Sequence, residues 1–154
     1  LNYLVSPDYN NRAMDALQKG AEKAGRSIDE IDRPQLVVCS VHEDRDTALG
    51  MARNMVAQYL GQQPHIMEAS GVPKSLLDDV GQILTWPATH EQVEAAAKLV
   101  PDDIVQMLTA SGTAAEAREA VAGYMANGCT SPVLYPLGDV YATIDAFAGW
   151  DHSS

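Results

Sequence analysis

The stretch from Leu108 to Asp139 restricts the possible folds more than any other part of the chain, because it reads as one helix followed by one strand. Thr113 is a favourable helix N-cap and Glu116 stands three residues later, so the pair predicts a capping box. Apolar residues then recur at helical spacing as far as Asn127-Gly128, where a glycine can take the left-handed conformation that ends a helix.

The strand of this unit is predicted at Pro132–Tyr135, a short apolar run that Pro136, Gly138 and Asp139 bring to an end. A helix, a tight glycine turn, a buried strand and a polar loop together form the repeating unit of α/β barrels. In such barrels the loops after the strands carry function. We therefore expect functional residues in the loops that follow each strand.

Two further strands are predicted, at Leu1–Val5 and at Pro34–Val41. Helices are expected between the strands, and short apolar strands joined by helical crossovers require a parallel sheet. A long helix is predicted from about Asp46 to Leu60, and residues 64–108 show only short helices and no strand signal. We therefore expect an α/β fold that corresponds to the C-terminal part of a (β/α)8 TIM barrel, about three βα units, with an all-helical insertion at 64–108.

The length of 154 residues is too short for a complete barrel, which needs about 250 residues. The predicted domain therefore spans 1–154 as the C-terminal portion of one barrel, and the chain start inside a strand suggests that a segment precedes it. The partner expected for this chain is then the N-terminal half of the barrel, and a homo-oligomer is expected as well.

Charge and composition exclude several classes of partner. The formal net charge is -11, which argues against nucleic acid and anionic membranes, since both attract basic surfaces. Cys39 and Cys129 form no metal-binding or redox motif, and we interpret both as buried apolar residues of a reducing, cytoplasmic setting. No metal site is predicted.

The ordered segments resemble the luciferase-like oxidoreductases, a family that includes bacterial luciferase. The resemblance rests on S-G-T-x-x-E at 111–116, N-G-C-T at 127–130, P-V-L-Y-P-L-G-D at 132–139 and the strand that leads into E-D-R-D-T-A at 43–48. Within the family the chain is most similar to the branch that uses coenzyme F420, which includes methylenetetrahydromethanopterin reductase. The resemblance implies hydride transfer between coenzyme F420 and a small organic substrate.

Two alternatives stay open beside this interpretation. One is an FMN-dependent luciferase-like monooxygenase, and the other is a catalytically incomplete barrel fragment that acts only through a partner half. In each case the coenzyme carries the reacting atom, while the protein places and polarises it. Much of the coenzyme contact in the family comes from earlier strands, which this chain does not contain.

Functional residues of such barrels follow the carboxyl ends of the strands, so three loops contain candidates for binding coenzyme or substrate. Asn2, Tyr3 and Ser6 follow the first predicted strand, and resembling proteins bind coenzyme or substrate there. The alternative is hydrogen bonding at the strand end, and for Ser6 a helix N-cap before Pro7.

Ser40 and His42 come at the end of the second predicted strand, where a histidine that titrates near neutrality could relay a proton. The alternative for His42 is a solvated loop position.

Tyr135, Gly138 and Asp139 come at the end of the third strand. Gly138 would let a ligand approach the backbone, and Asp139 could bind a polar group. The alternative is a turn followed by the N-cap of a last helix, with Tyr135 packed in the core. The catalytic residues themselves are not identified by the sequence.

Overall fold

The fold is built around the strand β1 (Pro34–Val41), which lies in the centre of a three-stranded parallel sheet. This computed structural model describes residues 1–151, so 152–154 of the predicted domain lie outside the described part. β1 pairs on one side with β2 (Ala110–Gly112) and on the other with β3 (Ser131–Pro136). The strand order is β2-β1-β3, and the predicted parallel sheet is confirmed.

Eight α-helices surround this sheet within residues 1–151. Their bounds are α1 (Pro7–Lys23), α2 (Arg45–Gln62), α3 (Pro64–Ala69), α4 (Lys74–Ile83), α5 (His90–Ala97), α6 (Asp102–Leu108), α7 (Ala114–Ala126) and α8 (Val140–Phe147). A 3-10 turn lies at Ile28–Glu30. The region 64–108 is helical throughout, apart from its connecting turns, as the sequence predicted. None of the described helices is long and apolar enough to cross a membrane.

Local sequence explains where most of these helices begin. The Ser6 hydroxyl accepts a hydrogen bond from Tyr9 N at 3.2 Å, and Pro7 opens α1, where its missing N–H costs no bond. Thr113 and Glu116 form the predicted capping box at the start of α7, and Thr89 forms a second one with Gln92 at the start of α5. Capping side chains therefore set the ends of several connections next to the sheet.

The two faces of β1 bury different cores because successive side chains of a strand point to opposite sides. Val38 belongs to the larger core, which α2 and the short helices α3–α6 cover. Val37, Cys39 and Val41 belong to the smaller core with Ala117 and other residues of α7 and α8. The central strand β1 is thus covered by helices on both faces.

The strand predicted at Leu1–Val5 is wrong. Leu4 has a positive φ of 52°, which an extended strand does not allow, and no strand among the described residues pairs with this segment. The segment instead packs Leu4 and Val5 into the larger core, so its apolar character reflects burial without sheet pairing.

The third strand of the sheet is β2, which the sequence did not predict. It has only three residues, and it is a strand because Cys39–Val41 lie alongside it in parallel register. The predicted strand at Pro132–Tyr135 is confirmed and is one residue longer at each end.

The outer side of β3 is open. β3 pairs only with β1, so its other edge has no strand beside it among the described residues. Val133 and Tyr135 on β3 are exposed, and so are the apolar side chains Tyr141 and Ile144 on α8. An unpaired edge strand with exposed apolar side chains is a surface that soluble proteins normally cover.

Candidate ligand site at the carboxyl ends of the strands

The carboxyl ends of β1 and β3 bring five of the eight predicted site residues to one region. Leu137 N donates to Cys39 O at 2.7 Å, so the loop after β3 runs beside the end of β1. This contact places Gly138 and Asp139 near the level of Ser40 and His42 on the neighbouring strand. Tyr135 lies slightly lower, opposite Val38 in the sheet register.

His42 is held in a defined orientation at this edge. Its backbone N–H donates to Gly112 O at 3.2 Å, which ties it to the end of β2. Its ring nitrogen Nδ1 accepts a hydrogen bond from the backbone N–H of Asp44 at 2.9 Å. His42 is exposed, but its ring is an ordered part of the connection to α2 rather than a freely solvated side chain.

Asp44 extends this arrangement into α2, whose N-terminus it caps. Its carboxylate accepts from Asp46 N at 3.3 Å and from the Thr47 hydroxyl at 2.6 Å. The hydrogen bond from Thr47 is the main reason that the pKa of the Asp44 carboxyl lies below its usual value. The carboxylate therefore stays charged and keeps the His42–Asp44 turn in place at neutral pH.

A crevice of about 360 Å3 opens next to His42, between α7 and α8. Its polar lining consists of His42, Glu43, Arg118 and Asp145. The remaining lining residues are Val41, Ala114, Ala142 and Ala146. The crevice lies at the strand ends where ligands of α/β proteins bind.

Ser40 is fully buried. Its Oγ has no hydrogen-bond partner among the described residues. Its neighbour in the sheet register is Ser111 of β2, whose hydroxyl lies 2.9 Å from the Thr109 hydroxyl. A buried hydroxyl without a partner is costly, so its presence at a strand end requires an explanation.

Gly138 and Asp139 form a turn and a helix cap. Gly138 has a φ of +76°, and a Cβ at this position would collide with Met51 Sδ of α2. The Asp139 carboxylate accepts from Tyr141 N at 2.8 Å and Ala142 N at 3.3 Å, which starts α8. The contacts therefore show Gly138 in a turn and Asp139 as the N-cap of α8. These roles do not exclude contact with a ligand.

Asn2, Tyr3 and Ser6 lie away from His42, toward the amino ends of the strands. Asn2 O accepts from Gln35 Nε2 at 2.7 Å, and Gln35 is the second residue of β1. His42 stands seven positions after Gln35, which is about 23 Å along an extended strand. Tyr3 packs against Tyr59 near the end of α2, with ring centroids 4.9 Å apart. The structure therefore does not bring these three predicted residues to His42.

Sequence reasoning missed a polar network that links α2, α6 and α7 near the strand ends. Arg45 Nε donates to Glu116 Oε1 at 2.9 Å, and Arg45 Nη2 donates to Gln106 Oε1 at 2.8 Å. A hydrogen bond from the backbone of Thr113 is the main cause that lowers the pKa of the Glu116 carboxyl, with smaller contributions from the Thr113 hydroxyl, Arg45 and Gln106. Glu116 was recognised only as half of a capping box, because its second partner lies 71 residues away.

The two cysteines lie at different levels of the fold, Cys39 in β1 and Cys129 before the start of β3. Cys39 of β1 is buried in the smaller core, and burial raises the pKa of its thiol to about 11. Cys129 is also buried and free. Both are therefore buried core residues, as predicted. No cluster of three or more potential metal ligands occurs within residues 1–151.

The sequence of this chain matches one protein family and a characterised relative. A family model described as luciferase-like monooxygenase matches residues 1–131. The 5,10-methylenetetrahydromethanopterin reductase of Archaeoglobus fulgidus is 30% identical over 128 residues, which are 82% of this chain and 39% of that protein.

Two solved structures share the fold. The coenzyme F420 dependent tetrahydromethanopterin reductase from Methanopyrus kandleri has a TM-score of 0.78 at 20% identity, over 92% of this chain and 41% of that chain. An F420-dependent secondary alcohol dehydrogenase in complex with an F420-acetone adduct has a TM-score of 0.65 at 18% identity, over 96% of this chain and 40% of that one. The chain thus spans about two fifths of the length of these relatives.

Proposed function

Because this chain belongs to the luciferase-like monooxygenase family, we propose that it is the C-terminal portion of an F420-dependent oxidoreductase. The reaction is hydride transfer between coenzyme F420 and a small organic substrate. The 30% identity to a methylenetetrahydromethanopterin reductase over 128 residues is the observation that carries this proposal. The likeness in fold to two F420-dependent enzymes agrees with it.

The architecture that we propose is the last part of a (β/α)8 barrel, with residues 64–108 as a helical insertion in one domain. The open edge of β3 and its exposed Val133 and Tyr135 support this proposal, since a neighbouring strand and a barrel interior would cover both. The partner is then the N-terminal half of the barrel. Homo-oligomer formation and a cytoplasmic location stay predictions.

The residues at the strand ends fit one part of the coenzyme. Ser40 is fully buried and points to the face of β1 opposite to Val41, so it does not line the crevice beside His42. The exposed His42 ring and the Gly138-Asp139 turn can exchange hydrogen bonds with the polar edge of a deazaflavin ring. They do not form a cationic cluster, so the anionic tail of the coenzyme must contact another part of the barrel.

When bound, coenzyme F420 supplies the ring carbon that accepts or donates the hydride. This chain's residues would orient the ring: His42 from the end of β1, and the Gly138-Asp139 turn from the end of β3. The missing side chain of Gly138 makes room for Met51 of α2, which fixes the turn against that helix. The Arg45–Glu116 pair holds α2 and α7 together so that the wall of the site keeps its shape.

FMN in place of coenzyme F420 is the alternative that the family description favours, since it names a monooxygenase. The test uses a chimera in which this chain replaces the matching C-terminal segment of the Archaeoglobus fulgidus reductase. Fluorescence titration with coenzyme F420 and with FMN should show saturable binding of F420 and weaker binding of FMN.

The same reductase without its C-terminal segment is the control, and it should bind neither coenzyme. Preferential binding of FMN to the chimera would support the alternative. If a stably folded chimera bound neither coenzyme, the proposed function would be wrong.

A further inference from the structure

A methionine of α2 supports the turn that follows β3. Gly138 in this turn has a φ of +76°, and a Cβ built on it would collide with Met51 Sδ. The sulfur therefore occupies the space beside the Gly138 backbone that a side chain would fill. The thioether is apolar and flexible, so it fits this gap and holds the turn against α2.

Met51 is also the most exposed of the six methionines in the chain. It is 42% exposed, whereas Met67 is fully buried and the other four are partly buried. Its helical neighbours Ala48 and Ala52 are fully buried, so Met51 stands at the border between the core side of α2 and the solvent. An oxidant in solution therefore reaches this sulfur more easily than the others.

The turn that Met51 supports lies between two hydrogen-bonded anchors. Before it, Leu137 N–H donates to Cys39 O of β1 at 2.7 Å. After it, the Asp139 carboxylate accepts from Tyr141 N at 2.8 Å and begins α8. Both hydrogen bonds depend on the position of the turn, so the contact with the sulfur links α2 to the end of β3 and to the start of α8.

We propose that Met51 is a site of reversible oxidation and that its sulfoxide releases the turn after β3. The oxidant is hydrogen peroxide: its O–O bond breaks, one oxygen forms a bond to Sδ, and the other leaves as water. The sulfur loses two electrons, which the peroxide gains. The product is polar, and it favours water over the contact with the Gly138 backbone.

A thiol-dependent sulfoxide reductase reverses this step. The sulfoxide oxygen leaves as water, while two thiols supply the two electrons and become a disulfide. The proposal rests on the exposure of Met51 and on its contact with Gly138. It does not depend on the proposed function.

The turn before β3 offers an internal comparison. Gly128 has a φ of +101°, and a Cβ on it would collide with Met14 of α1. Met14 is less exposed than Met51, so peroxide should oxidise it more slowly. The state of this second turn is reported by Cys129 N–H, which donates to Tyr124 O at 3.1 Å.

The first test treats the 154-residue chain with hydrogen peroxide and follows each methionine by peptide mass spectrometry. Met51 should be oxidised faster than Met14 and about tenfold faster than Met67. When Met51 alone is oxidised, the Leu137 N–H should exchange with solvent about tenfold faster by NMR, and the Cys129 N–H should be unchanged. A sulfoxide reductase with dithiothreitol should restore the original rate.

Two results of this test would overturn the proposal. One is that Met51 is oxidised no faster than Met14. The other is that the Leu137 N–H exchanges at the same rate after Met51 is oxidised.

Variants separate the sulfur from the shape of the side chain. Met51→Leu keeps an apolar side chain of similar volume, so the Leu137 N–H should exchange as in the unchanged chain and should not respond to peroxide. Met51→Gln imitates the polar sulfoxide, and exchange should be about tenfold faster without any peroxide. Leu99→Gln is the matched control, because Leu99 is also 42% exposed.

The Leu99→Gln variant should leave the exchange of the Leu137 N–H unchanged. If it accelerated this exchange as much as Met51→Gln does, the effect would not be local to the turn and the proposal would be wrong. A response of the Met51→Leu variant to peroxide at Leu137 would also contradict it, since that variant has no sulfur beside Gly138.

Discussion

Gly138 sets the position of the loop after β3 through its backbone conformation. Its φ of +76° is unfavourable for any residue with a Cβ, and a Cβ would also meet Met51 Sδ. Gly138→Ala should therefore lower the free energy of unfolding by about 1–2 kcal/mol, measured by urea denaturation. Gly50→Ala is the matched control, because Gly50 lies in α2 with open space around it.

The Gly50→Ala change should raise the stability by about 0.5–1 kcal/mol, since alanine favours the helix. Equal effects of the two substitutions would show that the loop conformation is not what makes Gly138 necessary.

Glu116 makes the stability depend on pH in a direction that the structure fixes. Hydrogen bonds and the Arg45 guanidinium lower the pKa of its carboxyl in the folded state, so the folded protein favours the charged form. This stabilisation is present above the ordinary pKa of 4.5 and is lost as the pH falls through the lowered folded-state value. At pH 7, Glu116→Gln should cost about 0.5–1 kcal/mol.

Glutamine preserves the capping box and removes the ion pair with Arg45, so it isolates the charge. Denaturation curves at pH 7 and pH 3 should show that the difference between the two proteins shrinks in acid. A difference that stays constant over this range would mean that the carboxylate is not stabilised by its charge.

At the scale of elements, the sequence predicts what local chemistry decides. β1 was predicted at Pro34–Val41 with its observed bounds, because a continuous β-branched run identifies a buried strand without knowledge of its neighbours. Thr113 likewise marks the start of α7 through Glu116, three residues away. For these elements the sequence and the structure agree.

Elements that depend on distant partners could not be predicted in this way. Leu1–Val5 has strand-like composition but pairs with no strand within residues 1–151, while Ala110–Gly112 pairs with Cys39–Val41 of β1, far away in the sequence. The same distinction applies to the candidate site. His42 was found from its position after a strand, but its fixed ring depends on the hydrogen bond to Asp44, and the crevice depends on how α8 packs against α7.

The two capping boxes offer a test of how much the N-caps stabilise the helices. Thr113→Ala and Thr89→Ala should each cost about 1 kcal/mol of stability, because each removes an N-cap side chain. Thr113→Ser and Thr89→Ser keep the capping hydroxyl and are the matched controls. Calorimetry measures all four variants, and equal losses for the alanine and serine variants would contradict a role of the caps.

At the scale of the whole molecule, the chain carries helices on both faces of its sheet but leaves β3 open at one edge within the described residues. It also spans about two fifths of the length of its relatives. The open edge of β3 and the partial length both agree with our proposal of an active site that is shared with another barrel segment. His42 and the Gly138-Asp139 turn would then form one wall of that site.

Hydride transfer by the chimera is the most direct test of this account. The Archaeoglobus fulgidus reductase with this chain as its C-terminal segment is mixed with coenzyme F420 and 5,10-methylenetetrahydromethanopterin, and the absorbance of the coenzyme is followed. The account predicts a change in coenzyme absorbance that depends on this chain and is absent from the truncated reductase. A folded chimera that binds coenzyme F420 and substrate but transfers no hydride would contradict it.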